Sequence, residues 1–191
     1  MTMIYLWRIP EFYPELLIGE YQRDRSPDRF LFDRGTRVAE DIPAPSFVFN
    51  ARNARLAVLG RYDILPNSTM VPLVTQRVAR VLDEMAGEDI QLIPANVTAG
   101  GQLLSGFKLV NVLRLVSSID HSQSNFVCIP GTKQIAKFNR FRVKPDALGY
   151  YHLAREAEYH PFILVSEALK RAFETHNFKG CAFIQPENIK P

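Results

Sequence analysis

Cysteine is scarce in this 191-residue sequence, and long apolar runs are absent from it. The two cysteines, Cys128 and Cys181, are too few for a disulfide-stapled fold, and each lies in an apolar segment where a free thiol behaves as a small buried hydrophobe. No stretch approaches the roughly 20 apolar residues of a membrane-spanning helix. Residues 1–8 lack the basic start and long apolar middle of a signal peptide. Together these absences predict a cytoplasmic protein, in a reducing compartment, with no membrane partner.

Neither sign of charge is in large excess, because the chain has 23 Lys and Arg and 20 Asp and Glu, which gives a net charge of +3. A surplus this small and dispersed does not indicate nucleic-acid binding without a clear basic patch, so we expect no nucleic-acid partner. Arginines do recur within residues 20–37, but aspartates are interleaved with them, which is typical of a solvated surface. A weakly basic nucleic-acid-binding module remains one alternative for the function.

The composition is that of an ordinary globular domain, with 47% apolar and 23% charged residues. A chain of this length can bury a hydrophobic core without disulfides or metals. The Pro43-Ala44-Pro45 step predicts a stiff connector. We therefore expect residues 1–45 to be an N-terminal extension that packs on a main domain of residues 46–191, with a first strand at residues 3–9.

A strand–helix–strand pattern begins in the middle of the chain. Residues 71–74 suit a strand, and Thr75 suits the helix N-cap, because its hydroxyl can accept an early helical N–H. Gly87 can end the helix in a left-handed conformation, and residues 90–93 suit the second strand. Between them, apolar residues recur at the spacing of one helical face: Val78, Val81, Leu82 and Met85.

The same pattern returns near the C-terminus. Residues 162–165 suit a strand, Ser166 suits the N-cap, and residues 181–184 suit the closing strand. Asn177 and Gly180 are stop signals for the helix between them. The apolar face of that helix consists of Leu169, Ala172 and Phe173.

The two units align without a gap when Leu73 is laid over Leu164. Leu82 then falls on Phe173. This agreement suggests an internal duplication, and chance similarity between two common patterns is the alternative. The fold class is predicted as α/β (α+β), a mixed sheet with two strand–helix–strand units related by internal duplication.

The sequence between the two units is rich in strand patterns. Gly100-Gly101 is a plausible hairpin turn, and the apolar segment 107–116 is predicted to be strand at its start. Residues 126–129 and 135–143 suit two further strands, joined by a turn at Pro130-Gly131. Residues 144–160 are predicted to be irregular.

No recognised catalytic constellation is present in the sequence. Asp120-His121-Ser122 contains the residue types of a hydrolase triad, but adjacent side chains diverge, so a turn capped by its own side chains is expected instead. Cys181 with His176 could form a thiolate pair. However, Cys181 occupies the place of Ile90 in the other unit, which indicates a core position and an inert thiol.

Metal and phosphate sites are equally unsupported. His152 and His160 flank Glu156 and Glu158, but none of the strong zinc-ligand spacings is present. Residues 130–133 lack the glycine order of a phosphate-binding loop. We therefore expect no enzyme, no cofactor and no metal. The alternative is an enzyme or small-ligand-binding protein whose site is unrecognised.

A family resemblance rests on short motifs in a fixed order. They are Asn111-Val112-Leu113, Ile119-Asp120 followed by Ser124, Phe141-Arg142, the Val-Ser-Glu-x-Leu-Lys helix start in residues 164–170, and the Lys-Gly-x-x-Phe ending in residues 178–183. In this order they resemble the bacterial immunity proteins of polymorphic-toxin systems, family eleven, which include a myxobacterial immunity protein. The resemblance covers residues 46–191, and Ile119 stands where the family usually has leucine.

The resemblance implies a non-enzymatic protein that binds and neutralises the toxic domain of a cognate bacterial toxin. Such toxins are often delivered by secretion systems, type VI systems among them, and are encoded beside the protein that protects the producer and its kin. The implied partner is therefore a toxin domain. No catalytic or contact residue is carried over from the family.

Interface anchors are usually Tyr, Trp and Arg, because they combine large apolar area with directed hydrogen bonds. Residues 144–160 offer such side chains outside the two units, so we predict these partner-binding residues: Tyr150, Tyr151, Arg155, Glu156, Glu158 and Tyr159. One alternative is that the tyrosines pack under the second helix and the glutamates are plain surface. Another is that residues 20–37 form the contact.

Overall fold

Short strands joined by short helices make up most of the chain. The computed structural model describes residues 3–51 and 54–189. Within them the strands are β1 (Ile4–Arg8), β2 (Glu20–Tyr21), β3 (Ser46–Phe49), β4 (Leu73–Thr75), β5 (Ile90–Pro94), β6 (Asn96–Ala99), β7 (Gln102–Leu104), β8 (Phe107–Val112), β9 (Leu115–Val116), β10 (Asn125–Cys128), β11 (Ile135–Arg140), β12 (Leu153–Glu156), β13 (Ile163–Ser166) and β14 (Ala182–Ile184). The α-helices are α1 (Ala54–Leu59), α2 (Gln76–Ala86) and α3 (Glu167–Thr175), and short 3-10 helices lie at Glu15–Leu17, Arg23–Arg25, Arg29–Asp33, Gly87–Asp89 and Pro186–Asn188.

The largest sheet has five strands in the order β14-β1-β13-β12-β9. β1 lies antiparallel between β13 and β14, with Tyr5 opposite Val165 and Trp7 opposite Phe183. Both faces of the sheet are covered, because Val165 belongs to one core cluster and its neighbour Leu164 to another. A strand buried on both faces reads as a continuous apolar run, as β13 does before its last residue. The predicted first strand is confirmed.

The N-terminal section contributes to the same sheets and core as the rest of the described chain. β1 is the second strand of the five-stranded sheet, and β2 pairs antiparallel with β3 in a four-stranded sheet ordered β2-β3-β6-β7. Phe32 is completely buried in the core cluster that also contains Phe47. The division at residue 45 stays a prediction about domain organisation.

Both predicted strand–helix–strand units form, and they have the same local topology. β4 and β5 flank β8 in a three-stranded sheet, and both run antiparallel to it. β13 and β14 flank β1 in the same way. In each unit one helix therefore links two parallel strands that are separated by an antiparallel strand. The α+β class with mixed sheets is confirmed, while a common origin of the two units stays a prediction.

The observed helix ends match the predicted caps and stop signals in the second unit, but only in part in the first. In the second unit Ser166 accepts a hydrogen bond from the Leu169 amide at 3.2 Å, and Asn177 and Gly180 have positive φ, as expected. In the first unit Thr75 is the N-cap residue, but its hydroxyl is buried without a hydrogen-bond partner. The prediction of a left-handed helix end at Gly87 is wrong, because the φ of Gly87 is −56° and the chain continues into a 3-10 helix.

α2 and α3 bury their predicted faces in one shared core. Val78, Leu82, Leu169 and Phe173 belong to the same cluster. Trp7 of β1 joins it, with its ring centroid 5.2 Å from that of Phe173 and 5.7 Å from that of Phe183. These edge-to-face contacts stabilise the second unit, and the shared cluster, which also contains Val78 and Leu82, joins it to the first.

The connecting region is predicted correctly except at one strand. β6 and β7 form a hairpin with positive φ at Gly100 and Gly101, and β10 pairs with β11. However, residues 144–160 are not wholly irregular, because β12 lies there between β13 and β9. All four residues of β12 are buried. The strand was not predicted because two of its four residues, Arg155 and Glu156, are of types that normally lie at the surface.

Truncation of the shared core tests the packing of the two helices. We expect Leu82→Ala and Phe173→Ala each to lower the free energy of unfolding by about 2–5 kcal/mol, because both side chains are buried and would leave cavities. Arg80→Ala, on the exposed face of α2, should change it by less than about 0.5 kcal/mol. Urea unfolding measures all three, and midpoints equal to that of the wild type would contradict this packing.

Candidate partner-binding face

A buried ion pair connects the N-terminal section to β12. The Arg155 side chain is 2% exposed, and its Nη1 lies 3.3 Å from Oδ1 of Asp33. Its Nη2 donates to the carbonyl oxygen of Phe32 at 3.3 Å, and its Nη1 also donates to the carbonyl oxygen of His160. One guanidinium therefore holds the 3-10 helix Arg29–Asp33 against the sheet and the loop that follows β12.

Burial shifts both ionisable groups toward their neutral forms. It raises the pKa of the Asp33 carboxyl, and the nearby positive charge of Arg155 partly opposes this rise. Burial lowers the pKa of Arg155, and Asp33 in turn opposes that change. The pair persists in the interior because each charge compensates the other and the guanidinium also binds two carbonyl groups.

Glu156, the neighbour of Arg155, fixes the other side of the same loop. One carboxylate oxygen accepts hydrogen bonds from the amide of Ser118, at 2.8 Å, and from its hydroxyl. The other oxygen accepts from the amide of Glu158 at 2.9 Å. The two charged residues of β12 thus determine where residues 157–161 lie on the surface.

This loop forms one wall of a surface depression with a volume of about 770 Å³. The other walls are the segment around Arg29–Asp33, the loop at Thr69 and Met70, and the hairpin of β10 and β11. Its rim carries three exposed apolar side chains, Phe30, Met70 and Ile129. We call this surface the depression. Several large exposed apolar side chains around one concavity are typical of a protein-interaction site.

A smaller apolar slot adjoins the depression and shares Met70 and Pro161 with it. Its volume is about 140 Å³, and Trp7, Ile9 and Ile163 are among its lining residues. A cavity of roughly this size accommodates a benzene ring. The slot is therefore large enough for one apolar side chain of a partner.

Met70, which separates slot from depression, has a strained backbone. Its φ is +59°, which is uncommon for a residue with a side chain. The turn is imposed by Asn67, whose side-chain amide donates to the carbonyl groups of Leu65 and Val71 while its backbone carbonyl accepts from the Met70 amide. Strain that the surroundings enforce in this way clusters at binding sites, and methionine adapts readily to a partner surface.

A family model described as Immunity protein family (Imm11) matches residues 13–188. The chain belongs to this family. The match begins earlier than the predicted resemblance at residues 46–191, so it includes the 3-10 helix and Asp33 that build the depression. A search of curated proteins found no match. In the parts of the chain that the structure describes, no helix has the length and apolar character needed to cross a membrane.

The structure of this immunity protein separates the six predicted partner-binding residues into three groups. Arg155 and Glu156 are buried in β12 and do not reach the surface, because their side chains bind protein groups inside. Glu158 and Tyr159 line the depression. Tyr150 and Tyr151 precede β12, at the end of the strand opposite to Glu158.

The tyrosines do not pack under the second helix. Tyr151 and Tyr159 contact the core cluster on the sheet face opposite α3. Tyr150 is exposed, and its hydroxyl lies 2.9 Å from that of Tyr151, whose ring stacks under the guanidinium of Arg114 at 4.1 Å. Residues 20–37, the alternative contact region, supply Arg29, Phe30, Asp33 and Arg34 to the depression. Met70 and Ile129 were not predicted as contact residues, because their local sequence does not indicate that either apolar side chain is exposed.

The Asp120-His121-Ser122 segment is a capped turn, as expected. Asp120 Oδ1 accepts hydrogen bonds from the amide of Ser122 at 2.9 Å and from its hydroxyl at 2.6 Å, and the hydroxyl bond lowers the pKa of Asp120. The His121 ring contacts Glu158 instead of the turn, and its Nε2 lies 3.0 Å from Glu158 Oε1. Among the described residues, no group of three or more His, Cys, Asp and Glu side chains could hold a metal ion.

Because of the buried ion pair, we expect two aspartate substitutions to change the free energy of unfolding by different amounts. Asp33→Ala should lower the free energy of unfolding by about 3 kcal/mol, because it leaves the Arg155 charge buried without compensation. Asp24→Ala, in the same stretch but exposed, should change it by less than about 0.5 kcal/mol. Urea unfolding of both variants measures the difference.

A double variant checks that the cause is the orphaned charge. Asp33→Ala combined with Arg155→Met should be more stable than Asp33→Ala alone, since the second change removes that charge and keeps an apolar side chain of similar length. A double variant that is less stable than either single variant would contradict this account.

The thiol of Cys181 should be unreactive in the folded protein. Burial, together with the nearby Asp63 carboxylate, raises the pKa of Cys181 to about 12, so the nucleophilic thiolate is nearly absent at pH 8. We expect iodoacetamide to alkylate Cys181 at least about 100-fold more slowly in the native protein than in urea. Mass spectrometry of the Cys181 peptide measures the rate, and equal rates would show that folding does not suppress the reactivity of the thiol.

Proposed function

We propose that this protein is a cytoplasmic immunity protein that binds the toxic domain of a cognate bacterial toxin and neutralises it. The observation that carries the proposal is the family match, which spans both strand–helix–strand units and the elements around the depression. The family suggests an inhibitor that works by binding rather than by catalysis. Delivery of the toxin by a secretion system is part of the same proposal.

The depression is our candidate for the toxin contact. Its rim combines the apolar side chains of Phe30, Met70 and Ile129 with the guanidinium groups of Arg29 and Arg34. Central apolar anchors surrounded by arginine and tyrosine are the usual composition of strong interface centres. Of the six residues predicted from the sequence, Glu158 and Tyr159 remain in this candidate contact.

Protection sets a demanding requirement on affinity. A toxin that harms the cell at a few molecules must be bound with nanomolar or tighter affinity, about −12 kcal/mol. An interface of about 1,600 Å² is typical of such complexes. The depression alone would fill only part of that area, so neighbouring surface must contribute as well.

Met70→Gly combined with Phe30→Ala tests the contact without disturbing the core. Phe30 is 52% exposed and Met70 58% exposed, and glycine adopts the positive φ of position 70 without strain. The unfolding free energy should stay within about 1 kcal/mol of the wild type. The dissociation constant for the C-terminal domain of the protein encoded directly upstream should rise about 30-fold or more. Isothermal titration calorimetry measures it.

Two control variants show whether a loss of affinity is specific to the depression. Leu103→Ala removes an exposed apolar side chain from β7, outside the depression, and should leave the affinity unchanged. Tyr150→Ala tests the cluster at the other end of β12. If Tyr150→Ala weakens binding and the depression variant does not, the contact lies at that end. If the wild-type protein does not bind the upstream domain or protect cells that express it, the proposed function is wrong.

A further inference from the structure

Phe12 is the most exposed of the large apolar side chains in residues 3–51 and 54–189, at 93%. Leu16, four residues later, is 63% exposed. Single exposed apolar residues are common on protein surfaces and need no explanation. Two of them on one short segment, one almost completely in water, form a protruding apolar feature that we call the ridge.

The ridge is held rigidly by the residues between and beside its exposed side chains. Tyr13 and Leu17 are buried, and the Tyr13 hydroxyl donates to the Leu17 carbonyl at 3.2 Å. The Tyr13 amide donates to the Pro10 carbonyl at 3.0 Å, and its ring lies 4.8 Å from that of Tyr62. Phe12 and Leu16 therefore point outward because their neighbours are fixed inward.

Proline restricts this segment further. The Leu17 amide donates to the Pro14 carbonyl at 2.8 Å, which closes the 3-10 helix Glu15–Leu17. Pro10 and Pro14 each limit one backbone dihedral before folding. A ridge that is already ordered loses little conformational entropy on binding, so its apolar area is available to stabilise a complex.

The charge of the segment indicates the kind of surface it fits. Within residues 9–22, Glu15 and Glu20 are exposed and there is no Lys or Arg, although the whole chain has a net charge of +3. Glu15 lies beside Leu16 and is exposed. An apolar ridge with an acidic border complements an apolar pocket with a basic rim, and like charges disfavour an anionic membrane surface.

We propose that Phe12 and Leu16 are anchor side chains that enter an apolar pocket, rimmed by lysine or arginine, on the toxic domain. This inference rests on the proposed function and extends the contact beyond the depression. The ridge segment begins beside the slot, because Ile9, three residues before Phe12, lines the slot together with Met70. The ridge projects into the partner, whereas the depression and slot receive side chains from it.

The double variant Phe12→Ala with Leu16→Ala tests the ridge against the C-terminal domain of the protein encoded directly upstream. Calorimetry should give a dissociation constant about 30-fold or more above that of the wild type, as expected for the loss of central anchors. The urea unfolding midpoint should be unchanged, because both side chains are exposed in the free protein. Leu103→Ala removes a leucine on β7 whose exposure, 70%, is close to the 63% of Leu16, so it is the matched control and should bind as the wild type does.

Charge reversal at the border supplies a second readout. Glu15→Lys should lower the association rate constant about tenfold at low ionic strength, and the difference from wild type should shrink as salt is raised. A ridge that faces a neutral or acidic surface would give no change or a faster association, and either result would overturn the proposed basic rim.

The remaining outcomes separate this inference from the proposed function. If the wild type does not bind the upstream domain, the proposed function fails and the ridge proposal fails with it. If the wild type binds and the double variant binds equally well, only the ridge proposal is overturned. Sedimentation of the chain alone that changes with the double variant would assign the ridge to a second copy. Ridge-dependent binding to vesicles of phosphatidylglycerol and phosphatidylethanolamine would assign it to a membrane surface.

Discussion

The charge of Arg155 is a constraint on which much of this structure depends. Its guanidinium lies in the interior, on a strand with neighbours on both sides, and a buried charge is stable only with compensating partners. The Asp33 carboxylate and the Phe32 carbonyl come from more than 120 residues away, and the His160 carbonyl comes from the loop that follows β12. One side chain thereby links the N-terminal section, the five-stranded sheet and the loop after β12.

The candidate partner-binding face follows from the same contact. The segment that carries Asp33 also carries Arg29, Phe30 and Arg34, and the loop that carries His160 also carries Glu158 and Tyr159. Because the ion pair holds the two segments together, the polar and apolar side chains of both face one depression. Met70 completes the rim on a turn that the Asn67 side chain enforces.

Rigid support of exposed apolar side chains is common to the depression and the ridge. In both places a buried polar or aromatic residue fixes the backbone, and a residue one to three positions away projects into solvent. Asn67 has this role for Met70, and Tyr13 has it for Phe12. Such pre-organisation reduces the entropy cost of association, which suits the proposed role of binding a toxin domain.

The amino-acid sequence by itself determined the regular, locally encoded parts of the protein. The faces of α2 and α3 were predictable because their apolar residues recur at helical spacing, and the Ser166 cap and the Gly100-Gly101 hairpin depend on neighbours a few residues away. The family was recognisable from short motifs for the same reason. Sequence also placed Glu158 and Tyr159 among the candidate contacts, from residue type alone.

Only the tertiary structure decided the rest. The charges of Arg155 and Glu156 concealed β12, because a charged residue can be buried only if partners distant in sequence reach it, and periodicity carries no information about them. The conformation of Gly87 was decided by a following 3-10 helix rather than by glycine's freedom. The depression joins four segments from residues 29 to 161, and their proximity arises from packing and from one buried ion pair that no local pattern reveals.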